Sequence, residues 1–195
     1  MVRRRVAEPG TEQARSGPEL PADWAAEPVL LGCHRGAGAT TFRVLLATPW
    51  DLGAYTPERG TLSAFGRPLV LVTRVDAIST TQTMGAANLI RENRLHCAAL
   101  VLVADAAGSE PPEVAASLRV LEDAVGSIVR FPFVPALVHV DSTDADQVRL
   151  PRKAKRALTQ IRNACEEAAR AHPAGAAPGE RTSGAQRPAP GPTGI

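Results

Sequence analysis

The stretch that decides the fold is residues 28–41, PVLLGCHRGAGATT, in which an apolar run leads directly into a loop of small residues. Pro28–Cys33 predicts a buried strand, because a short apolar run bounded by turn residues is typical of strands in a covered sheet. The residues after it predict a turn and then a helix, with Phe42, Leu45 and Leu46 at helical spacing. A strand, a glycine-rich turn and a helix in this order form the first half of a βαβ unit.

Three further apolar runs predict the other strands of the same sheet. They cover 68–75, 98–104 and 128–134, and Pro132 places the last one at a sheet edge or ends it early. Apolar strands separated by helices are typical of a parallel sheet that is covered on both faces. We therefore predict an α/β fold, a three-layer αβα sandwich with a mainly parallel sheet, in which the strand at 28–33 is central.

Helices and loops are predicted between these strands. One helix follows the second strand and runs to about Arg94, another runs from Pro112 to Gly126, and Pro151 opens the last one. Residues 49–67 contain several glycines and prolines and indicate a loop with room for one short strand.

The ends of the chain differ in composition from its middle. Residues 1–27 show no sustained period, and residues 171–195 are rich in Pro, Gly and Ala. Neither segment could bury enough apolar surface to offset its ordering entropy. We predict two disordered tails around a single domain at 28–170.

Composition and charge exclude several classes of protein. The formal net charge of +2 does not by itself indicate a nucleic-acid partner. No run reaches the roughly 18 apolar residues of a membrane helix, and no apolar segment follows the arginines at 3–5. Cys33, Cys97 and Cys165 lie in apolar or helical stretches, so free buried thiols in a cytoplasmic protein are expected.

The loop at 32–41 has the composition of a phosphate cradle, in which small residues let backbone N–H groups and a helix N-terminus approach an anion. Set against G-x-x-x-x-G-K-[ST], Gly38 is the second glycine and Ala39 stands where the lysine belongs. Thr40 is then the hydroxyl that would ligate magnesium, while the first glycine is displaced by one position, with Cys33 in its place. A glycine-rich turn that binds nothing is the alternative.

This loop resembles that of the MinD/ParA-like branch of P-loop nucleoside triphosphatases, which reads K-G-G-x-G-K-T-T. Aligned without gaps, His34 falls on the signature lysine of that branch and Arg35 on its first glycine. Residues 36–38 carry the G-x-G and residues 40–41 the T-T. A loop of the form G-x-H-x-G-A-G-x-T-T is also similar to uncharacterised proteins of high-GC bacteria found beside conjugative or plasmid-like elements.

Later segments resemble the same branch. Residues 68–90 resemble its strand and turn that face a substrate or partner, and 98–105 resemble its strand ending in the asparagine that faces the nucleotide base, with Asp105 in that place. Residues 129–138 resemble its I-P-x-x-x-x-V segment beside the base. The nucleotide-binding residues implied by the resemblance are Arg35, Gly36, Ala37, Gly38, Ala39, Thr40, Thr41 and Asp105.

Two departures from that branch shape the expected function. Both lysines are absent, replaced by His34 and Ala39, and the strand with the Walker-B aspartate and its D-x-x-G turn is expected to be deleted, since only 49–67 is available for it. The resemblance then implies a pseudo-NTPase module without catalytic residues, a regulatory switch linked to mobile-element or plasmid-type functions. It would bind ATP or another nucleotide with magnesium weakly, and it would contact a protein partner or form a homodimer.

Two other functions remain open at this point. One is a protein-interaction module that binds no nucleotide and keeps only the αβα scaffold. The other is a weak ATPase in which Arg35 replaces the lysine. Asp51 or Asp76 could take the place of the missing magnesium aspartate, although capping of a turn or helix is the more common role of such residues.

A cluster of cations opens the last predicted helix. Arg152, Lys153, Lys155 and Arg156 could meet a phosphate backbone, so nucleic acid is a second possible partner. A solvated helix face is the more common explanation, and cations at a helix N-terminus oppose the helix dipole.

Overall fold

The computed structural model describes residues 26–105 and 112–172. The predicted disordered tails lie outside the described residues except at 26–27 and 171–172. Five strands form one sheet: β1 Val29–Gly32, β2 Asp51–Ala54, β3 Leu69–Arg74, β4 Cys97–Val103 and β5 Ile128–Phe131. All neighbouring strands are parallel, in the order β2-β1-β3-β4-β5.

Within the described residues, five α-helices accompany the sheet: α1 Ala39–Leu46, α2 Ala77–Glu92, α3 Pro112–Leu121, α4 Pro135–Val138 and α5 Arg152–Ala171. Two short 3-10 helices lie at Glu122–Ala124 and Ser142–Gln147. Pro112 begins α3, and Pro151 directly precedes α5, as the sequence predicts.

Helices cover both faces of the sheet. Along β3, Val70 and Val72 belong to the core under α1 and α5, whereas Leu69 and Leu71 belong to the core under α2 and α3. This alternation follows from the two-residue period of a strand. The predicted fold class, an α/β three-layer arrangement with a parallel sheet, is confirmed.

The position of β1 differs from the prediction. β1 is internal, but the middle strand is β3, because Asp51–Ala54 forms an additional strand on the outer side of β1. The sequence allows one short strand within 49–67, and β2 is that strand. β5 lies at an edge and ends at Phe131, directly before Pro132, which confirms the effect predicted for that proline.

The strand order determines where loops diverge. From β1 the chain passes to β2 on one side and then returns to β3 on the other side of β1. In doubly wound sheets such a switch point, at the carboxyl ends of the strands, is where ligands bind. The loop at 33–38 follows β1 and lies at this edge, which we call the carboxyl edge.

Two further expectations concern burial. Cys33, Cys97 and Cys165 are all free and buried, as predicted. No helix within 26–105 and 112–172 is long and apolar enough to cross a membrane.

Candidate functional site

The loop between β1 and α1 depends on two glycines in left-handed backbone conformations. Gly36 has φ 76° and Gly38 has φ 99°. A Cβ atom at Gly36 would meet no atom within 4 Å, so the backbone angle, and not lack of space, is what favours glycine there. The sequence thus produces an open turn whose backbone faces outward.

The N-terminus of α1 opens into this turn. Its hydrogen-bond ladder begins with the Phe42 N–H, which donates to the Gly38 carbonyl at 3.0 Å. The N–H groups of the three preceding residues, 39–41, therefore lie outside the ladder. Gly38 precedes the helix and has no side chain that could cap it. This combination gives the loop a positive potential.

A cleft of about 400 Å³ lies over the loop and the helix end. Ala37 and Ala39 are buried beneath it, while Arg35 and Thr40 are exposed. Seven of the eight predicted binding residues line the cleft, and they are Arg35, Gly36, Ala37, Gly38, Ala39, Thr40 and Thr41. The loop does not fill this space with its own side chains.

Thr40 and Asp51 meet at the side of the cleft next to β2. The Thr40 hydroxyl donates to Asp51 Oδ2 at 3.2 Å, and Asp51 Oδ1 accepts the Gly53 N–H at 2.8 Å. Asp51 is therefore both a turn-forming residue and a partner of the predicted magnesium hydroxyl. A hydroxyl and a carboxylate are oxygen ligands of the kind Mg²⁺ takes, together with waters and phosphates. The residues present thus fit a magnesium ion.

Asp76, the other aspartate considered for magnesium, caps α2. Its carboxylate accepts the Ser79 N–H at 2.7 Å and the Ser79 hydroxyl at 2.6 Å. This is the ordinary N-cap role. Asp76 does not line the cleft.

The His34 side chain forms hydrogen bonds with the backbone of the protein. Its Nε2 accepts the Arg74 N–H at 3.4 Å, and its Nδ1 lies 2.8 Å from the Arg35 carbonyl. Because a backbone N–H can only donate, Nε2 is the acceptor and Nδ1 carries the proton. The residue aligned with the signature lysine therefore holds the loop against the end of β3.

Asp105 lies at the carboxyl edge but does not line the cleft. It forms an exposed ion pair with the Arg74 guanidinium. The role implied for Asp105, facing a nucleotide base, stays a prediction.

Three cleft residues were missed by the sequence analysis. Gly53 and Ala54 belong to β2, whose position could not be predicted, and Ser142 begins the 3-10 helix that follows α4. Ser142 is about a hundred residues from the loop in the chain and reaches the cleft only through packing, so the sequence carries no signal for it.

Cys33 lies beneath the loop and is not a candidate nucleophile. Burial raises the pKa of its thiol from the ordinary 9.0 to about 12, against the smaller lowering effect of hydrogen bonds with Thr83 and Thr73. A thiol of this kind stays protonated at neutral pH and is unreactive.

Comparison with known proteins gives no match to a protein-family model, a curated protein or a solved structure. A functional argument for this chain therefore depends on the chemistry of the cleft itself.

Proposed function

We propose that the cleft binds the phosphate groups of a nucleotide and that the protein is a nucleotide-binding or pseudo-NTPase module. The observation that carries this proposal is the N-terminus of α1, which opens through a glycine loop into an uncovered cleft of about 400 Å³. Helix N-termini with free N–H groups bind phosphate in many α/β proteins.

Charges in the cleft favour an anion that arrives with a metal ion. The helix end contributes roughly half a positive charge, and Arg35 contributes a full one. Asp51, next to Thr40, adds a negative charge, which by itself would repel phosphate. A magnesium ion at Thr40 and Asp51 would neutralise that carboxylate and bridge to phosphate oxygens.

Binding without efficient turnover is expected. Ala39 is the first residue of α1, where the loop lysine of a P-loop enzyme would stand, and it carries no charge. Loss of one preorganised donor typically costs on the order of 10²–10³ in rate. The MinD/ParA-like resemblance suggests a regulatory switch with a protein partner or homodimer, in a mobile-element or plasmid-type setting.

A thermal-shift experiment tests the proposal on the full chain. ATP, ADP and GTP, each with and without magnesium, should raise the melting temperature, because a ligand of the native state stabilises it by about 2.7 kcal/mol at 100 times Kd. Gly38→Ala should abolish this response, since it alters the backbone that meets the phosphates. Gly66→Ala is the matched control, because Gly66 also has a left-handed φ of 73° but lies outside the cleft.

Both glycine variants should lose about 1–2 kcal/mol of unfolding free energy through backbone strain, so only the ligand response separates them. Thr40→Val should remove the magnesium-dependent part of the response, whereas Thr159→Val, on the exposed side of α5, should not. Absence of any response at millimolar nucleotide, or equal responses in both glycine variants, would contradict the proposal.

A further inference from the structure

Four exposed cations occupy the first five residues of α5. They are Arg152, Lys153, Lys155 and Arg156, which we call the basic patch. The inner face of α5 is apolar and buried, and it comprises Ala154, Ala157, Leu158, Ile161, Ala164, Cys165 and Ala168. At 100° per residue, Arg152, Lys155 and Arg156 fall on the opposite half of the helix, and the exposed Lys153 lies at the border of the buried face. The patch is thus displayed by a helix whose other face is fixed in the core.

This arrangement works against the stability of the helix. The first turn of α5 contains no acidic residue, and each cation there opposes the helix dipole by about 0.3–1 kcal/mol. Arg152 and Arg156 are also four residues apart, a spacing at which like charges repel. The far end of the same helix follows the opposite rule, with Arg170 paired to Glu166 at 3.1 Å. A local rule broken at one end of an otherwise regular helix is expected at functional sites.

The protein does not neutralise the patch itself. Within residues 26–105 and 112–172, none of the four cations forms an ion pair within 4 Å. The acidic 3-10 helix Ser142–Gln147, which precedes α5, does not pair with the four cations. Its Asp144 instead accepts a hydrogen bond from Gln147 at 3.1 Å. The charges are therefore available to an external anion.

The backbone at the same place offers further donors. The α5 ladder begins with the Lys155 N–H, which donates to the Pro151 carbonyl at 3.1 Å. The N–H groups of residues 152–154 therefore lie outside the ladder, and the proline before them has no side-chain acceptor to cap them. Cationic side chains and free helix N–H groups are both donors that bind nucleic-acid phosphates.

We propose that the basic patch docks the phosphate backbone of a nucleic-acid duplex without reading its sequence. Duplex DNA carries one charge per about 1.7 Å of helix axis, so several phosphates can meet cations that are confined to one helical turn. A membrane surface fits less well, because the apolar face of α5 is buried against the sheet and cannot enter a bilayer.

The patch lies at the same sheet edge as the cleft. β5 ends at this edge, and α5 starts on the same side, because His172 at its far end stacks on His96, which directly precedes the amino end of β4. Ser142, in the connection between them, lines the cleft. A bound duplex would therefore lie beside the cleft, although the proposal holds whether or not the cleft binds a nucleotide.

Salt dependence of binding tests the proposal. The full chain is titrated against fluorescent 30-base-pair DNA and RNA duplexes of arbitrary sequence between 50 and 200 mM salt. Four phosphate contacts predict a slope of log K against log salt of about −3.6, or a loss of affinity of about 150-fold over this range. The double variant K153Q/K155Q should reduce this slope to about −1.8 and the loss to about 12-fold.

The matched control is R91Q/R119Q, which removes the same charge from exposed positions on α2 and α3. Its slope should equal that of the unchanged protein, and the sequence outside the described residues is identical in both variants. The melting temperature of K153Q/K155Q should not fall, because the substitutions relieve repulsion by the helix dipole.

Three results would overturn the proposal. They are an unchanged slope in K153Q/K155Q, the same loss of slope in R91Q/R119Q, and no binding to either duplex at 50 mM salt. Patch-dependent binding to phosphatidylserine vesicles, stronger than to either duplex, would also overturn it, in favour of a membrane surface.

Discussion

The two edges of the sheet each hold an arginine–carboxylate pair, and the two pairs differ in burial. At the amino edge, Arg67 lies 2.5 Å from Glu27, and the Arg67 side chain is 3% exposed. Its guanidinium also stacks over Trp50, whose Nε1 donates to Glu27 at 3.1 Å. At the carboxyl edge, the pair between Arg74 and Asp105 is 46% and 38% exposed.

The difference in burial distinguishes the edge whose polar groups are satisfied within the protein from the edge whose polar groups face solvent. At the amino edge, charged groups satisfy one another and pack as part of the core. At the carboxyl edge, left-handed glycines and free helix N–H groups leave donors directed at solvent. Polar groups that a chain does not satisfy internally are the ones available to a ligand.

The largest effect expected from this comparison is at the buried pair. Arg67→Ala should lower the free energy of unfolding by about 2 kcal/mol, because it removes the stacking of a buried guanidinium on Trp50 and the charged partner of Glu27, whose 34% exposed side chain is partly screened by water. Urea denaturation measures this, with the exposed Arg91→Ala as a control that should change stability by less than about 0.5 kcal/mol. A loss below 1 kcal/mol at Arg67 would mean that the two edges do not differ as described.

An intermediate effect is expected from the thiols beneath the two edges. Burial raises the pKa of Cys33, at the carboxyl end of β1, and of Cys97, at the amino end of β4, from 9.0 to about 12. Their stabilising contribution is complete below pH 9 and is lost as pH rises toward 12, because only the unfolded chain then releases the proton. Between pH 8 and pH 10, each thiol should lower the free energy of unfolding by about 1.4 kcal/mol.

Urea denaturation at these two pH values measures the loss. Cys33→Ala and Cys97→Ala should each reduce the pH-dependent loss of unfolding free energy by the same amount. The two thiols are equally buried, because the carboxyl edge is open to solvent only at its loop and not below it. If Cys33→Ala left the pH-dependent loss of unfolding free energy unchanged, solvent would have to reach below the loop to the Cys33 thiol in the core.

The smallest effect is expected at the exposed pair. Arg74→Ala should change the free energy of unfolding by no more than about 1 kcal/mol, because water screens both charges. Asp105→Asn should be equally mild for stability. If Asp105 faces a nucleotide base, that variant should change the ratio of the thermal shifts produced by ATP and GTP, and an unchanged ratio would remove Asp105 from the proposed site.

Most of the sheet could be predicted from the sequence because four strands are continuous apolar runs. β2 could be allowed for but not located, since Asp51–Ala54 contains a single large apolar residue and two small ones. It becomes a strand only because β1 offers a free outer side and the Asp51 side chain fixes the turn at Gly53. The pairing of β2 with the outer side of β1 also makes β3 the middle strand of the sheet.

In the candidate site, too, residues that are contiguous in the chain could be predicted together, whereas contacts between distant residues could not. The loop residues are contiguous, so their glycines and hydroxyls can be recognised together in the chain. Asp51 could be named but not placed, because its contact with Thr40 depends on the pairing of β2 with β1. Asp105 was expected near the ligand, but the sequence does not show that Arg74 lies within reach of its carboxylate.

The way α5 closes the core has a consequence for how the protein is made. A ribosome releases β1 to β5 before α5, so the apolar face that includes Val70, Val72 and Val101 lacks the large apolar cover of α5 during most of synthesis. Nascent chains that expose such a surface tend to aggregate. We therefore expect the native sheet to become stable only when α5 has left the exit tunnel.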